Sequence, residues 1–591
     1  MELKYANEKG VLYLVALLKE HGIKRVFASP GTTNLSFVAS LQCDTFFEIY
    51  SCVDERSAAY MACGMAAETG EPVVITCTGA TASRNYMSAL TEAYYRKLPI
   101  LAVTGTQNTE RIGQLDAQII DRSSLPKDIA TLSVDISRIH DTIDEYFCQL
   151  KINKALCQLK RRGGGPVHIN LFTSYNRNFS IAQLPPVRKI ERLSYDTLTN
   201  MPEMTSGKIG IFVGSHNDFS DTEVEVIERF CESRNAVVFC DHTSGYYGKY
   251  KVNFSLVAYQ KEATYDLCQL DLCIHIGEIS AEYACIENLK KKVVWRVSPD
   301  GEIRDPFHAL RYVFEMTEID FFNFYTLNDM TEDTTYWHEC KETYNRVLSK
   351  IDNLPFSNIW IASQIAHKLP SGSALHLGIL NCTRSWNLFE LTEGVRSYSN
   401  VGGFGIDGGV SSLIGASLVN KDKLYFGVVG DLAFFYDMNC LGNRHIGNNV
   451  RLLIVNNGKG TEFRNFYHTG SLFGDLADKY IAAGGHYGDK SHSLVKHFAE
   501  DLGFEYISAD NKNEFLKYSE HFIDSNITGK SIVFETFTNN MDESDALLSI
   551  WSLEKDHKSI SKTLKQKIVK QTRSILGARG LAIIKLIMNR K

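Results

Sequence analysis

The sequence predicts an α/β protein of three consecutive parallel-sheet domains followed by a basic amphipathic helical tail. Three observations carry this. The chain has 591 residues, which fits three domains of ordinary size better than one. Three stretches repeat one pattern, in which short runs rich in Val, Ile and Leu end in Gly, Asn, Thr or Asp and lead into a helical period, as parallel sheets do. Polar joins near residues 185–207 and 331–356 separate the stretches. Domains are therefore expected at 1–186, 187–352 and 353–548, with the tail at 549–591.

The opening MELKYANEKGVLYLVALLKEHGIKRVF reads as an amphipathic helix running into a strand, without the charged start, apolar stretch and cleavage site of a signal peptide. The first domain then offers RVFASPGTTN, PVVITCTGA and PILAVTGTQ as strands with their exits. KIGIFVGSHND, AVVFCDHTSG, LCIHIGE and KKVVWRVSPDG serve the second, and ALHLGILNC, KLYFGVVGD, NVRLLIVNNGKG and KSIVFETFTN the third. No apolar run is long enough to span a bilayer. With 44% hydrophobic residues, 22% charged residues and a net charge of -6, the composition is that of a soluble globular protein with no general attraction to nucleic acid. The fourteen cysteines are scattered without a close CxxC pair, which reads as reduced thiols in a cytoplasmic protein rather than zinc ligands.

In parallel α/β sheets ligands bind beyond the carboxyl ends of the strands. Two such places stand out. In KLYFGVVGDLAFFYDMNCLGNRHIGNNVRLLIVNNGKGTEF, Asp431 ends one strand and Asn456-Asn457 end the next, so a carboxylate and an amide oxygen would converge. Hard oxygen donors of that kind suit Mg²⁺, and Gly430, Gly458 and Gly460 let backbone approach a diphosphate. Gly-Asp and Asn-Asn-Gly are also ordinary turn formers. In IYSCVDERSAAYMACGMAAETG, Glu55 follows a strand-like run and opens a helix of small residues; a lone Glu there also fits a favourable helix-dipole contact.

Together these segments resemble the thiamine-diphosphate enzyme superfamily. The resemblance implies a pyrimidine-binding first domain, a central domain and a diphosphate-binding third domain, with thiamine diphosphate and Mg²⁺ as cofactors. It makes Asp431, Asn457 and the carbonyl of Lys459 the metal ligands, and Gly430, Leu432, Ala433, Gly460 and Thr461 neighbours of the cofactor. Gly405 and Ile406, in SNVGGFGIDGG, would line the thiazolium, with Ile406 as an apolar wedge; read from the residues alone, Ile406 is equally a core residue. Glu55, with Asn85 nearby, would be the catalytic carboxylate that promotes proton loss from the cofactor.

Within the superfamily the chain is similar to the menaquinone-pathway SEPHCHC synthases, which join 2-oxoglutarate to isochorismate. SPG at 29–31, DER at 54–56, Asn85, Gln118, DGEIRDP at 300–306, GIDG at 405–408 and the leucine at 432 carry the likeness. Four positions where those enzymes place arginines to grip acidic substrates hold Thr33, Gln107, Trp386 and Val401 instead. Such losses remove charge-assisted contacts worth roughly 1.5–3 kcal/mol each. Arg84 and Arg384 are candidate replacements, and Thr32 and Gln118 complete the candidate substrate residues.

The expectation is a 2-oxo acid decarboxylase and carboligase that transfers a two-carbon unit from pyruvate to a carbonyl acceptor, such as a nucleotide-linked keto sugar of surface-polysaccharide biosynthesis. The loop residues Asn108, Gln114 and Asp116 offer polar groups to such an acceptor, or are simply a solvated loop. SEPHCHC synthesis and a silent cofactor-binding regulatory subunit are the alternatives. The resemblance also implies a homodimer or tetramer with active sites between subunits. The tail SISKTLKQKIVKQTRSILGARGLAIIKLIMNRK, basic with apolar residues at helical intervals, reads as peripheral contact with the inner membrane face or as a helix packing on protein.

Overall fold

A computed structural model describes residues 4–554 apart from 108, 123–124, 195–199, 205, 261–265, 328–332 and 528. The basic tail beyond 554 lies outside the described residues, as does Asn108. The chain divides into two compact units, Met1–Met201 with Asp300–Glu315, and Pro202–Pro299 with Met316–Lys591.

In the first unit a six-stranded sheet runs, edge to edge, Glu48–Ser51, Arg25–Ala28, Val73–Cys77, Ile100–Thr106, Val167–Phe172 and Leu132–Ile136, with every pairing parallel. Its strands are apolar on both faces because helices cover both. Val74, Leu101, Val103 and Ile169 pack under the helices Lys9–Glu20 and Thr142–Gln158. Val73, Ile75, Cys77 and Ala102 pack on the other side against Glu55–Thr69 and Met87–Tyr95. The small residues of the Glu55–Thr69 helix have a structural role here: Ala58, Ala59, Ala62 and Ala66 are buried on the face that meets the sheet and let the helix lie close. That helix starts where Asp54 accepts hydrogen bonds from the backbone N–H groups of Arg56 (2.9 Å) and Ser57 (3.3 Å), and it ends at Gly70 in the left-handed region.

The segment DGEIRDP belongs to this unit through ion pairs. Arg161 reaches Glu302 at 2.7 Å and Glu315 at 3.0 Å, Arg188 reaches the buried Asp305 at 2.9 Å, and strand Leu310–Glu315 pairs in parallel with Glu191–Ser194. Its acids are therefore engaged in holding the segment.

In the second unit, Lys251–Asn253, Ala236–Cys240, Ile209–Val213, Gln269–Ile276 and Lys290–Val297 lie side by side in that order. A separate six-stranded sheet runs Arg396–Ser399, Ala374–Leu377, Tyr425–Gly430, Val450–Asn456, Ile532–Phe537 and Glu505–Ala509. It repeats the strand order of the first unit's six-stranded sheet. The stretch 331–356, read from sequence as a polar join, contains the helix Thr335–Leu348, because Tyr336, Cys340, Tyr344 and Val347 recur at helical spacing and are buried. Helix Asn540–Trp551 crosses the position expected to divide the third domain from the tail. All fourteen cysteines are free thiols, and among the described residues no helix is long and apolar enough to cross a membrane.

Candidate functional site

Strand order alone marks where a site belongs in the last sheet. The chain leaves Ala374–Leu377 toward one side and Tyr425–Gly430 toward the other, so a crevice opens between their carboxyl ends. A cavity of about 130 Å³ lies there, lined by residues after three adjacent strands: Leu380 and Asn381, Gly430 to Ala433, and Asn457 with Lys459 to Phe463. Ile406 and Glu543 line it too. Gly405 precedes Ile406 in the chain.

The acid at its centre is Asp431, first residue of the helix Asp431–Asp437 and only 3% exposed. Burial pushes its carboxyl up to about 7, against opposing hydrogen bonds from backbone N–H groups of Leu432, Asp431 itself and Gly458 and with help from the nearby charge of Asp489. A carboxyl buried in this way is stabilised as an anion by a neighbouring cation.

The two adjacent asparagines have different roles. Asn456 is fully engaged: its amide donates to Glu535 at 2.7 Å and its oxygen accepts from the backbone N–H of Gly458 at 3.1 Å. Glu535 accepts in turn from Tyr506 at 2.7 Å. Asn457 Oδ1, by contrast, is buried without a hydrogen-bond partner among the described residues, and the residue lines the same cavity as Asp431. An acid raised by burial and an orphaned amide oxygen on one small cavity form a hard-oxygen donor set suited to Mg²⁺. The carbonyl of Lys459, the third expected donor, accepts from Thr461 N at 2.9 Å and Thr461 Oγ1 at 3.4 Å, while the Lys459 ammonium pairs with Asp478 at 2.7 Å. Gly458 is required between them. Its φ is +75°, and a Cβ there would stand 2.3 Å from Asp489 Oδ1. Asp489 and Glu543 thus belong to this neighbourhood; no pattern in the sequence marks them, since their link to Asp431 is spatial only.

In the first unit, Glu55 is half-buried and its Oε2 accepts a hydrogen bond from Asn85 Nδ2 at 3.0 Å. Asn85 ends the helix Thr81–Asn85 and so presents its amide to the start of the Glu55 helix. The carboxylate is held in one orientation by a neutral donor.

The candidate substrate residues separate clearly. Thr33 is buried, and its hydroxyl lies 2.5 Å from Thr78 Oγ1, donates to the carbonyl of Gly105 at 3.3 Å and accepts from Gly79 N at 3.1 Å, tying three strand exits together. Thr32 is exposed, and Gln118 is exposed with φ +66°. Gln107 accepts from Arg111 Nη1 at 2.5 Å, so a guanidinium does stand beside position 107, but it is held by Asp116 at 2.6 and 2.9 Å. Trp386 is wholly buried, its indole N–H donating to Asn358 at 3.2 Å, and Val401 is buried as well. Arg384 is neutralised by Glu462 at 2.7 and 3.3 Å, which also accepts from Tyr467 at 2.5 Å. Burial would raise the Glu462 carboxyl, but the Arg384 charge and the hydrogen bonds from Arg384 and Tyr467 outweigh it and lower it. Arg384 accordingly organises the cavity wall through Asn381, to which it donates at 3.0 Å. Arg84 is exposed and donates to the carbonyl of Asp121 at 3.0 Å.

Residues 8–125 match the family model described as "Thiamine pyrophosphate enzyme, N-terminal TPP binding domain". The chain is 30% identical over 559 residues to the 2-succinyl-5-enolpyruvyl-6-hydroxy-3-cyclohexene-1-carboxylate synthase of Bacteroides fragilis, covering 90% of this chain and 97% of that protein. The protein of the same name from Bacteroides thetaiotaomicron is 30% identical over 567 residues, with the same coverage. Its namesake from Flavobacterium johnsoniae is 25% identical over 557 residues, 90% of this chain and 97% of that protein. An orphaned amide oxygen beside a buried acid, a glutamate held by asparagine, and identity sustained over almost the whole length of these proteins lead to one assignment: the chain belongs to the 2-succinyl-5-enolpyruvyl-6-hydroxy-3-cyclohexene-1-carboxylate synthase family of thiamine-diphosphate-dependent enzymes.

Proposed function

We propose that the protein decarboxylates a 2-oxo acid and joins the remaining acyl unit to an acceptor, with 2-oxoglutarate as donor and isochorismate as acceptor. The observation that carries this reading is the pairing of Asp431 and Asn457 Oδ1 on one cavity, and the relatives' name supplies the product, 2-succinyl-5-enolpyruvyl-6-hydroxy-3-cyclohexene-1-carboxylate. Asp431 and Asn457 would hold Mg²⁺ with the Lys459 carbonyl. Gly430, Leu432, Ala433, Gly460 and Thr461 would surround the diphosphate, and Ile406 would support the ring system. Bound there, thiamine diphosphate supplies the electron sink for loss of CO₂ and the carbon nucleophile for the acceptor. Glu55 carries the proton exchanged with the aminopyrimidine, and Asn85 keeps its carboxylate aimed. A scaffold without turnover has no need of that pair. In this family's manner, Glu55 of one subunit and Asp431 of another would complete one site, which makes a homodimer the smallest working assembly.

A second reading, pyruvate as donor with a less acidic acceptor such as a keto sugar, draws support from Thr33, Gln107 and Val401 at positions where the family grips carboxylates. Release of CO₂ with thiamine diphosphate and Mg²⁺ decides between them. Isochorismate-dependent turnover of 2-oxoglutarate that Glu55→Gln abolishes supports the first. Turnover of pyruvate alone replaces it with the second.

A further inference from the structure

Arg122 is 3% exposed, yet among the described residues its guanidinium makes a single hydrogen bond, from Nη2 to the carbonyl of Gly105 at 3.1 Å. Its Nε and Nη1 are buried without a hydrogen-bond partner among the described residues. A buried guanidinium in that condition is costly, and native proteins keep one only where something meets it. It lines a cavity of about 20 Å³ together with Arg84, Thr104, Tyr86 and His168, and among the described residues no aspartate or glutamate lines that cavity. Volume of this order admits one water or one carboxylate oxygen. His168 adds no counter-charge: burial drives its imidazole down to about 3, so it is neutral, and its ring nitrogens lie 2.8 Å from the hydroxyls of Thr104 and Ser133. The charge of Arg84 opposes that of Arg122, lowering the latter's pKa after the larger effect of burial. Two like charges, one of them desolvated, face a space that no acid lines among the described residues, and Asp135 acts on Arg122 only from outside it.

Location adds a second argument. Gly105 and Gly79 lie at the carboxyl ends of the central strands of the first unit's sheet, where a ligand is expected. A Cβ at Gly79 would stand 3.2 Å from Arg122 Nη1, and one at Gly105 would stand 2.3 Å from the Thr33 carbonyl, so both glycines keep this corner open to backbone and guanidinium. Asn85, which holds Glu55, is the neighbour of Arg84 on one short helix.

We propose that Arg122, assisted by Arg84, receives one carboxylate of an acidic substrate and so restores cationic recognition absent at positions 33, 107, 386 and 401. The inference rests on the 2-oxo acid carboligase reading for its substrate class. Its chemistry, a buried guanidinium donating to one carboxylate oxygen, stands independently.

The test uses the full-length protein loaded with thiamine diphosphate and Mg²⁺, and succinate as an unreactive dicarboxylate, with succinamide as its uncharged counterpart. Arg122→Met is expected to weaken succinate binding by about tenfold to a hundredfold in calorimetry, with Arg122→Lys recovering part of it and succinamide unaffected by either. Without ligand, Arg122→Met should melt at the wild-type temperature or above, since it removes an unpaired buried charge. Equal succinate affinity in wild type and both variants overturns the proposal, as does absence of succinate binding to wild type. A lowered melting point in Arg122→Met with an unchanged succinate-induced shift also overturns it, leaving Arg122 a structural residue hydrated by buried water. CO₂ release from 2-oxoglutarate and pyruvate, measured beside these, judges the functional reading separately. Turnover without Arg122 dependence sinks only the present inference, and Arg122-dependent succinate binding without turnover sinks only the reading.

Discussion

The first and last six-stranded sheets share one strand order and opposite chemistry. Both place the second strand at an edge, cross to the third, and exchange the last two, so both open a crevice between their first and third strands. At the first sheet's carboxyl end the residues are an oriented glutamate, a buried arginine with two nitrogens lacking a hydrogen-bond partner among the described residues, and a threonine that binds its neighbours. At the last sheet's end they are a buried acid pushed up to about 7 and an amide oxygen with no hydrogen-bond partner among the described residues. One topology provides the place, and a handful of side chains decides whether it moves protons and holds anions or holds a cation.

The largest expected effect falls on proton transfer. Glu55→Gln keeps the side chain's shape but removes its basicity, and kcat should fall by about 10²–10⁴ while thiamine diphosphate still binds. A variant that turns over within tenfold of wild type would remove Glu55 from the chemistry. Asp431→Asn attacks the other sheet: Mg²⁺ affinity should drop by at least roughly tenfold to a hundredfold, read by titrating Mg²⁺ against cofactor fluorescence quenching, with turnover partly recovered at high Mg²⁺. Unchanged Mg²⁺ dependence would place the metal elsewhere.

How much of this was legible in the sequence follows from where each signal lives. Central strands such as Val73–Cys77 and Val450–Asn456 announce themselves because burial on both faces forces unbroken apolar runs. The edge strands Glu48–Ser51 and Arg396–Ser399 do not, since they are four residues long and partly exposed. Asp431 and Asn457 could be read because parallel strands put functional residues immediately after apolar runs. Which asparagine is free could not, as that depends on Glu535, some eighty residues away in sequence and adjacent only through strand pairing. The same limit applies to Arg384 and Trp386, whose neutralisation by Glu462 and burial against Asn358 exist only in three dimensions. Arg122 carries no sequence signal at all.

The two strand ends also differ in how much room their glycines leave. Gly105→Ala puts a Cβ 2.3 Å from the carbonyl oxygen of Thr33, a backbone atom that cannot swing away, whereas a Cβ at Gly430 meets nothing within 4 Å. Gly105→Ala is expected to cost about 1–3 kcal/mol in urea unfolding, and Gly430→Ala within about 0.5 kcal/mol of nothing. Equal stability of the two variants would show that the first sheet's exits are as open as the last sheet's.

The smallest effect sharpens the comparison through pH. Glu543 lines the cavity of the last sheet and is 7% exposed; both of its carboxylate oxygens accept from Asn358 N, at 3.0 and 3.1 Å, and one accepts from Thr538 at 2.7 Å. Burial outweighs those hydrogen bonds and raises its carboxyl from the usual 4.5 to about 7. The folded protein therefore binds this proton more tightly than the unfolded chain does. Between those two values stability falls as pH rises: the contribution is fully present below about 4.5 and lost through about 7. Glu543→Gln mimics the protonated form at every pH, so its stability relative to wild type should improve by about 1–2 kcal/mol between pH 5 and pH 8.5, measured by urea unfolding of cofactor-free protein. A difference that stays constant across that range would mean Glu543 is already ionised when folded. The last sheet's cavity would then hold a fixed negative charge beside Asp431, making it still more a site for a cation and sharpening its contrast with the arginine-lined corner of the first.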